Sequence, residues 1–298
     1  MRADSSFQSD GVTLRGWLYR PEKAKAQVPA IVMSHGFSAT KEMDLAGFAE
    51  VFCEAGFLVL VYDHRNLGAS DGEPRGEIEP WAQIRGYRDA ITYLQTLPGV
   101  DPSRIGAWGS SLSGGHAIVV GAIDRRVKCV VSQVPLIDGY ATGQRHLRAD
   151  FRPMLEAQFH ADRAARYRGE TPAMIPVVAE QPNGHGFFQT DDSRKYFLGF
   201  GDRAPTWRNL VTLRTVEAVG EYNPGSYIAR VSPTPLLLAV ALGDTLAVAD
   251  LALDAYERAR APKKLVTLDC GHFDPYSGPI FKENSGPQRD WFVEHLKP

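Results

Sequence analysis

Short apolar runs rich in β-branched residues recur at positions 30–34, 57–62, 104–108, 127–133, 235–241 and 264–268. Helix-length stretches separate most of them, at 45–55, 81–97, 112–123 and 250–260, and a last one follows at 286–295. A chain resolves such alternation by building βαβ units, with a mostly parallel sheet buried beneath helices on both faces. The 298 residues suffice for a full core and one or two domains. Ahead of the first run, residues 5–9 and 13–19 flank Asp10-Gly11, which is a hairpin signal. From Pro135 to about residue 232 the alternation fails. That stretch carries an amphipathic helical pattern at 146–168, then segments punctuated by proline and glycine such as Gln181-Pro182-Asn183-Gly184. The expected organisation is a core of residues 1–134 and 233–298, with residues 135–232 inserted as a cap.

Composition narrows the class of function. A net charge of −2 gives no electrostatic reason to expect nucleic acid or an anionic membrane as partner. No apolar run approaches the roughly 20 residues that span a bilayer. The N-terminal residues carry no apolar segment of the signal-peptide kind. Cys53, Cys129 and Cys270 are odd in number and widely spaced, so they read as reduced thiols of a cytoplasmic protein rather than a disulfide framework. Neither a His-Glu-x-x-His pair nor a Gly-rich phosphate loop is present, so no metal and no cofactor is expected.

The segment Gly109-Ser110-Ser111-Leu112-Ser113-Gly114-Gly115 falls between the run at 104–108 and the helix at 112–123. A serine on a sharp strand-to-helix turn, with small residues two positions to either side, is the pattern of a nucleophile elbow. Ser111 is flanked in this way by Gly109 and Ser113, although the second position is usually glycine. Ser113, flanked by Ser111 and Gly115, is the alternative register, and a plain helix N-cap is the non-catalytic one.

A serine nucleophile needs oxyanion donors, a base and an acid. The Leu112 amide opens the helix after the elbow, and the Phe37 amide lies in the loop Ser34-His35-Gly36-Phe37-Ser38 after the first parallel run. His272 follows the last run in Asp269-Cys270-Gly271-His272, whereas His35, His64 and His116 sit earlier in the chain. His116, within about one turn of Ser111 on the helix, reads as a packing residue. Asp244 ends the preceding run, and Asp269 is its competitor. The order Ser111, Asp244, His272 is that of the α/β-hydrolases. The loop from Asp63 to Ser70 reads as a structural element beside the site. A histidine base implies activity that falls as pH drops through about 6.5.

These motifs, with Asp63-His64-Arg65-Asn66-Leu67-Gly68-Ala69-Ser70, resemble the α/β-hydrolase superfamily. Ser34-His35-Gly36-Phe37-Ser38-Ala39-Thr40-Lys41-Glu42, Pro233-Thr234-Pro235-Leu236-Leu237, Gly271-His272-Phe273-Asp274-Pro275-Tyr276 and Trp207-Arg208-Asn209-Leu210-Val211-Thr212-Leu213-Arg214 are similar to a narrower group. That group comprises dienelactone-hydrolase-like and peptidase-S15-like proteins together with fungal polyketide transferases. The resemblance implies an eight-stranded, mostly parallel sheet with a helical cap inserted after the sixth strand. It also implies a serine hydrolase of esters, thioesters or lactones, or an acyltransferase with the same triad, or a ligand-binding protein without catalysis. The expected partner is a small-molecule acyl substrate, with no nucleic acid and no membrane, and the chain acts alone or as a homodimer. Ser38, Phe187, Phe188 and Trp207 are the pocket candidates, although most cap aromatics should form the cap's own core.

Overall fold

The computed structural model describes residues 1–22, 27–181 and 184–298. Pro182 and Asn183, in one of the punctuated segments noted above, lie outside the described residues. Strands β1 (Arg2–Ser9) and β2 (Val12–Tyr19) form the expected hairpin, and Asp10 and Gly11 both take positive φ as a two-residue turn requires. Then come β3 (Val28–Ser34), α1 (Leu45–Glu54), β4 (Leu58–Tyr62), α2 (Pro80–Thr96), β5 (Val100–Ser110), α3 (Leu112–Ile123) and β6 (Val127–Gln133). The chain leaves the sheet for α4 (Gly139–His146), α5 (Arg152–Tyr167), β7 (Met174–Ile175), α6 (Asp191–Leu198), β8 (Val211–Thr212) and α7 (Leu213–Gly220). It returns through β9 (Leu236–Ala241), α8 (Ala249–Arg258), β10 (Lys263–Leu268) and α9 (Gly278–Leu296).

Eight strands make one sheet in the order β1-β2-β4-β3-β5-β6-β9-β10. Among the described residues the pairs β1–β2 and β2–β4 are antiparallel, and the pairs from β4 to β10 are parallel. The chain runs from β3 outward to β4 and then crosses back to β5. The carboxyl ends of β3 and β5 therefore face a topological switch point, the usual place for a ligand in an open α/β sheet.

Period-two burial decides which helices cover which face. Ala30, Val32, Leu58 and Leu60 point to the side covered by Tyr87 and Ile91 of α2, Ala117 and Ile118 of α3, and Ala255 of α8. Ile31, Met33, Val59 and Val61 point to the other side, covered by Phe48 and Phe52 of α1 and Phe292 and Leu296 of α9. Because both faces are covered, β3 is buried at every residue, which is why its sequence reads as continuous apolar rather than alternating. Truncating Phe292, which no solvent reaches, to alanine is expected to cost about 3–5 kcal/mol.

Three boundaries differ from the sequence reading. The helix expected at 146–168 begins only at Arg152, after α4 has already ended at His146, because Pro153 is tolerated only in the first turn of a helix. The last helix begins at Gly278 rather than 286, with Pro287 in its interior. Side chains near that proline hold the turn: Asn284 and Gln288 both donate to Gln133 Oε1, at 2.5 and 3.0 Å. Strand β5 runs past Trp108 through Ser110, where Gly109 pairs with Ser34 and Ser110 with Gln133.

Candidate active site

Ser111 follows β5 directly and precedes the first residue of α3. Its backbone has φ 56° and ψ −120°, a conformation that costs a non-glycine residue about 1–3 kcal/mol. Neighbouring backbone enforces it: Ser111 N–H donates to Gln133 O at 2.9 Å, and Ser111 O accepts from Leu136 N at 2.9 Å and Gly115 N at 3.2 Å. The turn is so tight that a Cβ at position 109 would lie 1.9 Å from the Ser113 carbonyl oxygen, so only glycine fits there. Ser113, the alternative register, is wholly buried. Its Oγ donates to His35 O at 2.5 Å and meets His64 Nε2 at 2.8 Å, so the hydroxyl is engaged away from the cavity.

The loop after β3 comes up against the elbow. A Cβ on Gly36 would sit 2.8 Å from Ser111 Cβ and 3.3 Å from its Oγ. This contact brings the Gly36–Phe37 peptide beside the serine. Leu112, as the first residue of α3, has an amide that no preceding turn can satisfy.

His272 Nδ1 lies 2.6 Å from Asp244 Oδ2, and both residues are buried. Asp244 Oδ1 accepts from the amides of Leu246 at 2.8 Å and Ala247 at 2.9 Å. Burial by itself would raise the pKa of this carboxyl. The neighbouring His272 and the two amides outweigh that effect and hold it below the ordinary value, so Asp244 is ionised at neutral pH. Asp269, the competitor, is exposed at the end of β10. Ser111 and His272 line one cavity at the carboxyl edge of the sheet.

Apart from His35, the rest of that cavity is mostly aliphatic and aromatic. Ala39, Met43 and Leu45 form one side, Phe188, Tyr196 and Phe197 come from the inserted stretch, and Phe273 and Tyr276 follow the histidine. Of the four pocket candidates, Phe188 lines the cavity. Phe187 stands behind it, stacked on Phe37 with ring centroids 4.1 Å apart. Trp207 is one ring further back, stacked on Phe197 at 5.6 Å, and Ser38 is buried outside the wall. Of the four, then, Phe188 alone faces this free volume, and Phe187, Ser38 and Trp207 lie outside its wall. Aromatic residues along the insertion gave no signal of their order in depth. Phe273 and Tyr276 had no assigned role in the sequence reading, although their spacing of one and four residues from His272 was a usable sign. About 20 Å³ of free volume remains, roughly the room one water needs.

Other groups are structural. Asp63 is fully buried and accepts from Lys41 N at 2.7 Å, Lys41 Nζ at 2.8 Å and Ala69 N at 2.9 Å. Arg75 completes the loop by donating to the carbonyls of Ser70 and Gly68. Burial and nearby carboxylates push the Cys270 thiol up to about 11, so it is protonated at neutral pH and is no competing nucleophile. Among the described residues no cluster of His, Cys, Asp and Glu could hold a metal ion, and no helix is long and apolar enough to cross a membrane.

A sheet of this order, a strained serine between β5 and α3, and a buried Asp–His pair after β9 and β10 define a serine-dependent enzyme of the α/β-hydrolase class. The family model of the X-Pro dipeptidyl-peptidases (S15 family) matches residues 10–274, and the chain belongs to that family. It is 36% identical over 262 residues to the thiohydrolase aneE of Aspergillus aculeatus, covering 86% of this chain and 81% of that one. It is 33% identical over 300 aligned positions to the polyketide transferase grgF of Penicillium sp, covering 99% and 97%. The crystal structure of the α/β-hydrolase GrgF from Penicillium sp. sh18 superposes with a TM-score of 0.85 at 30% identity over the whole of both chains.

Proposed function

We propose that this hydrolase cleaves a carboxylic ester, thioester or lactone through an acyl-enzyme on Ser111. The observation that carries the reading is the buried Asp244–His272 pair, 2.6 Å apart, opening into the same cavity as Ser111. His272 takes the Ser111 proton as Oγ attacks the acyl carbon. The negative charge on the carbonyl oxygen goes to the Phe37 and Leu112 amides. His272 returns the proton to the departing alcohol or thiol, and water activated by His272 then releases the acid. Asp244 holds the imidazole in the tautomer with hydrogen on Nδ1 and stabilises its protonated form.

The cavity wall favours a neutral, apolar acyl group. No carboxylate lines it, so the free amino terminus of a peptide would be buried there without a partner, at a large desolvation cost. A thioester or lactone suffers no such penalty, and the Aspergillus relative is by its name a thiohydrolase. Residues 135–232 act in this reading as the cap that excludes water and selects substrate. The same exclusion favours a second reading, in which an alcohol or amine acceptor replaces water, as the name of the Penicillium polyketide transferase suggests for that protein.

The test compares wild type with Ser111→Ala on 4-nitrophenyl esters of increasing acyl length, an acyl thioester, a lactone and an X-Pro anilide. Turnover of the neutral substrates that falls by several orders of magnitude in the variant, with little on the anilide, supports the reading. Undiminished turnover by Ser111→Ala refutes the nucleophile. Faster acyl transfer to an added alcohol than to water moves the assignment to the second reading.

A further inference from the structure

We propose that Ser113 and His64 are positioning residues, which hold from behind the peptide that presents the Phe37 amide to the oxyanion. The proposal rests on the reading of Ser111 as nucleophile and Phe37 as donor.

The hydrogen bonds form one chain. Ser113 Oγ donates to His35 O at 2.5 Å. A serine hydroxyl has a single hydrogen, so the 2.8 Å contact between Ser113 Oγ and His64 Nε2 requires the histidine to donate from Nε2. His64 Nδ1 is then a bare acceptor, and it is indeed buried without a partner. The His64 backbone N–H donates to His35 Nε2 at 3.2 Å, which makes that nitrogen the acceptor and puts the His35 hydrogen on Nδ1. His35 Nδ1 lies 2.9 Å from Gly36 O and donates to it. That carbonyl belongs to the same planar peptide as the Phe37 N–H. Fixing one end of the plane therefore aims the other, and a carbonyl polarised by a donor makes the N–H of the same peptide a better donor in turn.

Both peptides of the loop are thus held, the His35–Gly36 peptide by Ser113 and the Gly36–Phe37 peptide by the His35 ring. Ser113 is also on α3, whose first amide is the second oxyanion donor. A single hydroxyl therefore joins the two halves of the oxyanion hole. This gives a reason for serine at the elbow position that is ordinarily glycine. His35, His64 and Ser113 are all buried, and burial holds both histidines below their ordinary pKa, so both rings are neutral at neutral pH and the hydrogen bonds above set which nitrogen carries the hydrogen.

The test measures kcat, KM, melting temperature and inhibition by an alkyl boronic acid for wild type, Ser111→Ala, Ser113→Ala, Ser113→Gly and His64→Gln. A boronic acid adds to the serine as an anionic tetrahedral adduct, so its affinity reports the oxyanion hole. Loss of a whole oxyanion donor costs about 100–1,000-fold in kcat, and misaiming one is expected to cost about tenfold. In Ser113→Ala and Ser113→Gly, kcat and boronate affinity should fall together, with KM within about twofold. His64→Gln can still donate to Ser113 and should fall less. Two results overturn the proposal: unchanged kcat and boronate affinity in a folded Ser113 variant, or a fall in kcat with boronate affinity intact. The glycine variant keeps the test open if alanine does not fold. Retained turnover by Ser111→Ala would instead sink the reading beneath the proposal, whatever the Ser113 variants do.

Discussion

The Tyr276 hydroxyl lies 2.5 Å from Ser110 Oγ, joining the loop that carries His272 to the residue next to Ser111. Gln133 Nε2 also donates to Ser110 Oγ, at 3.0 Å, and Asn284 ties Gln133 Oε1 to the Pro275 carbonyl. Serine and histidine loops are therefore set against each other through buried polar contacts rather than apolar packing. Tyr276→Phe removes the hydroxyl while leaving the ring in the cavity wall. It should lower stability by about 1–3 kcal/mol, because buried acceptors lose a partner, and it should lower kcat more than it raises KM. Urea unfolding and steady-state kinetics on the same preparation check both parts.

Gly36→Ala is expected to abolish turnover while the protein still folds. The added methyl would stand 2.8 Å from Ser111 Cβ and 3.2 Å from the Ser110 carbonyl. Loop and elbow would have to separate, moving the Phe37 amide away from the oxyanion. Circular dichroism and ester hydrolysis measured together check this; full activity would mean that the loop is not part of the site.

Asp244→Asn keeps the size of the side chain and removes its charge. The amides of Leu246 and Ala247, which donate to Oδ1, favour keeping the new oxygen there and turning the amide nitrogen toward His272 Nδ1. Two donors would then face each other unless the imidazole changes tautomer. The expected fall in kcat is on the order of 10³–10⁴ with modest change in KM, by analogy with triads in general. A loss below tenfold in ester hydrolysis would assign the acid elsewhere.

Stability should decline on mild acidification. His116 is held by burial, and secondarily by the charge of His35, at about 3, and burial keeps His35 and His64 low as well. Asp63 and Lys41 adjoin His35, and Tyr87 and Tyr222 pack on His116. All three folded-state values lie below the ordinary one, so the unfolded chain binds protons first. The contribution is complete above about pH 6.5 and is lost as pH falls toward the folded values, by about 1.4 kcal/mol per unit for each histidine. Urea titrations at pH 7, 6 and 5 measure the slope; a flat profile would show that these rings reach solvent.

How far the sequence could be read depended on whether a feature was local. Helix α3 and strand β6 have the expected ends, Leu112–Ile123 and Val127–Gln133, because glycines, a charged pair and an apolar run mark them within a few residues. The start of α9 was not legible, since Gly286-Pro287 reads as a helix start and the contacts that hold the helix through it come from Gln133, 151 and 155 residues away in the two bonds. The cavity shows the same division. Ser111, Asp244 and His272 each stand at the end of a strand with a local motif, whereas the ranking of Phe187, Phe188, Phe197 and Trp207 by depth exists only once the insertion has packed. The brace from Ser113 to His35 spans 78 residues and leaves no pattern in the chain beyond one unexpected serine.

The 20 Å³ beside Ser111 is about the room of one water, so an acyl group enters only if side chains of the wall give way, and the protein would then bind from an opened population. Measured affinity is then the intrinsic affinity scaled by the open population. Phe187 stacks on Phe37 with centroids 4.1 Å apart, and if opening parts these two rings, weakening the stack would tighten apparent binding without adding any contact to the ligand. On that condition the seam between insertion and sheet would be a dial on substrate affinity, one that evolution could turn without altering Ser111, Asp244 or His272.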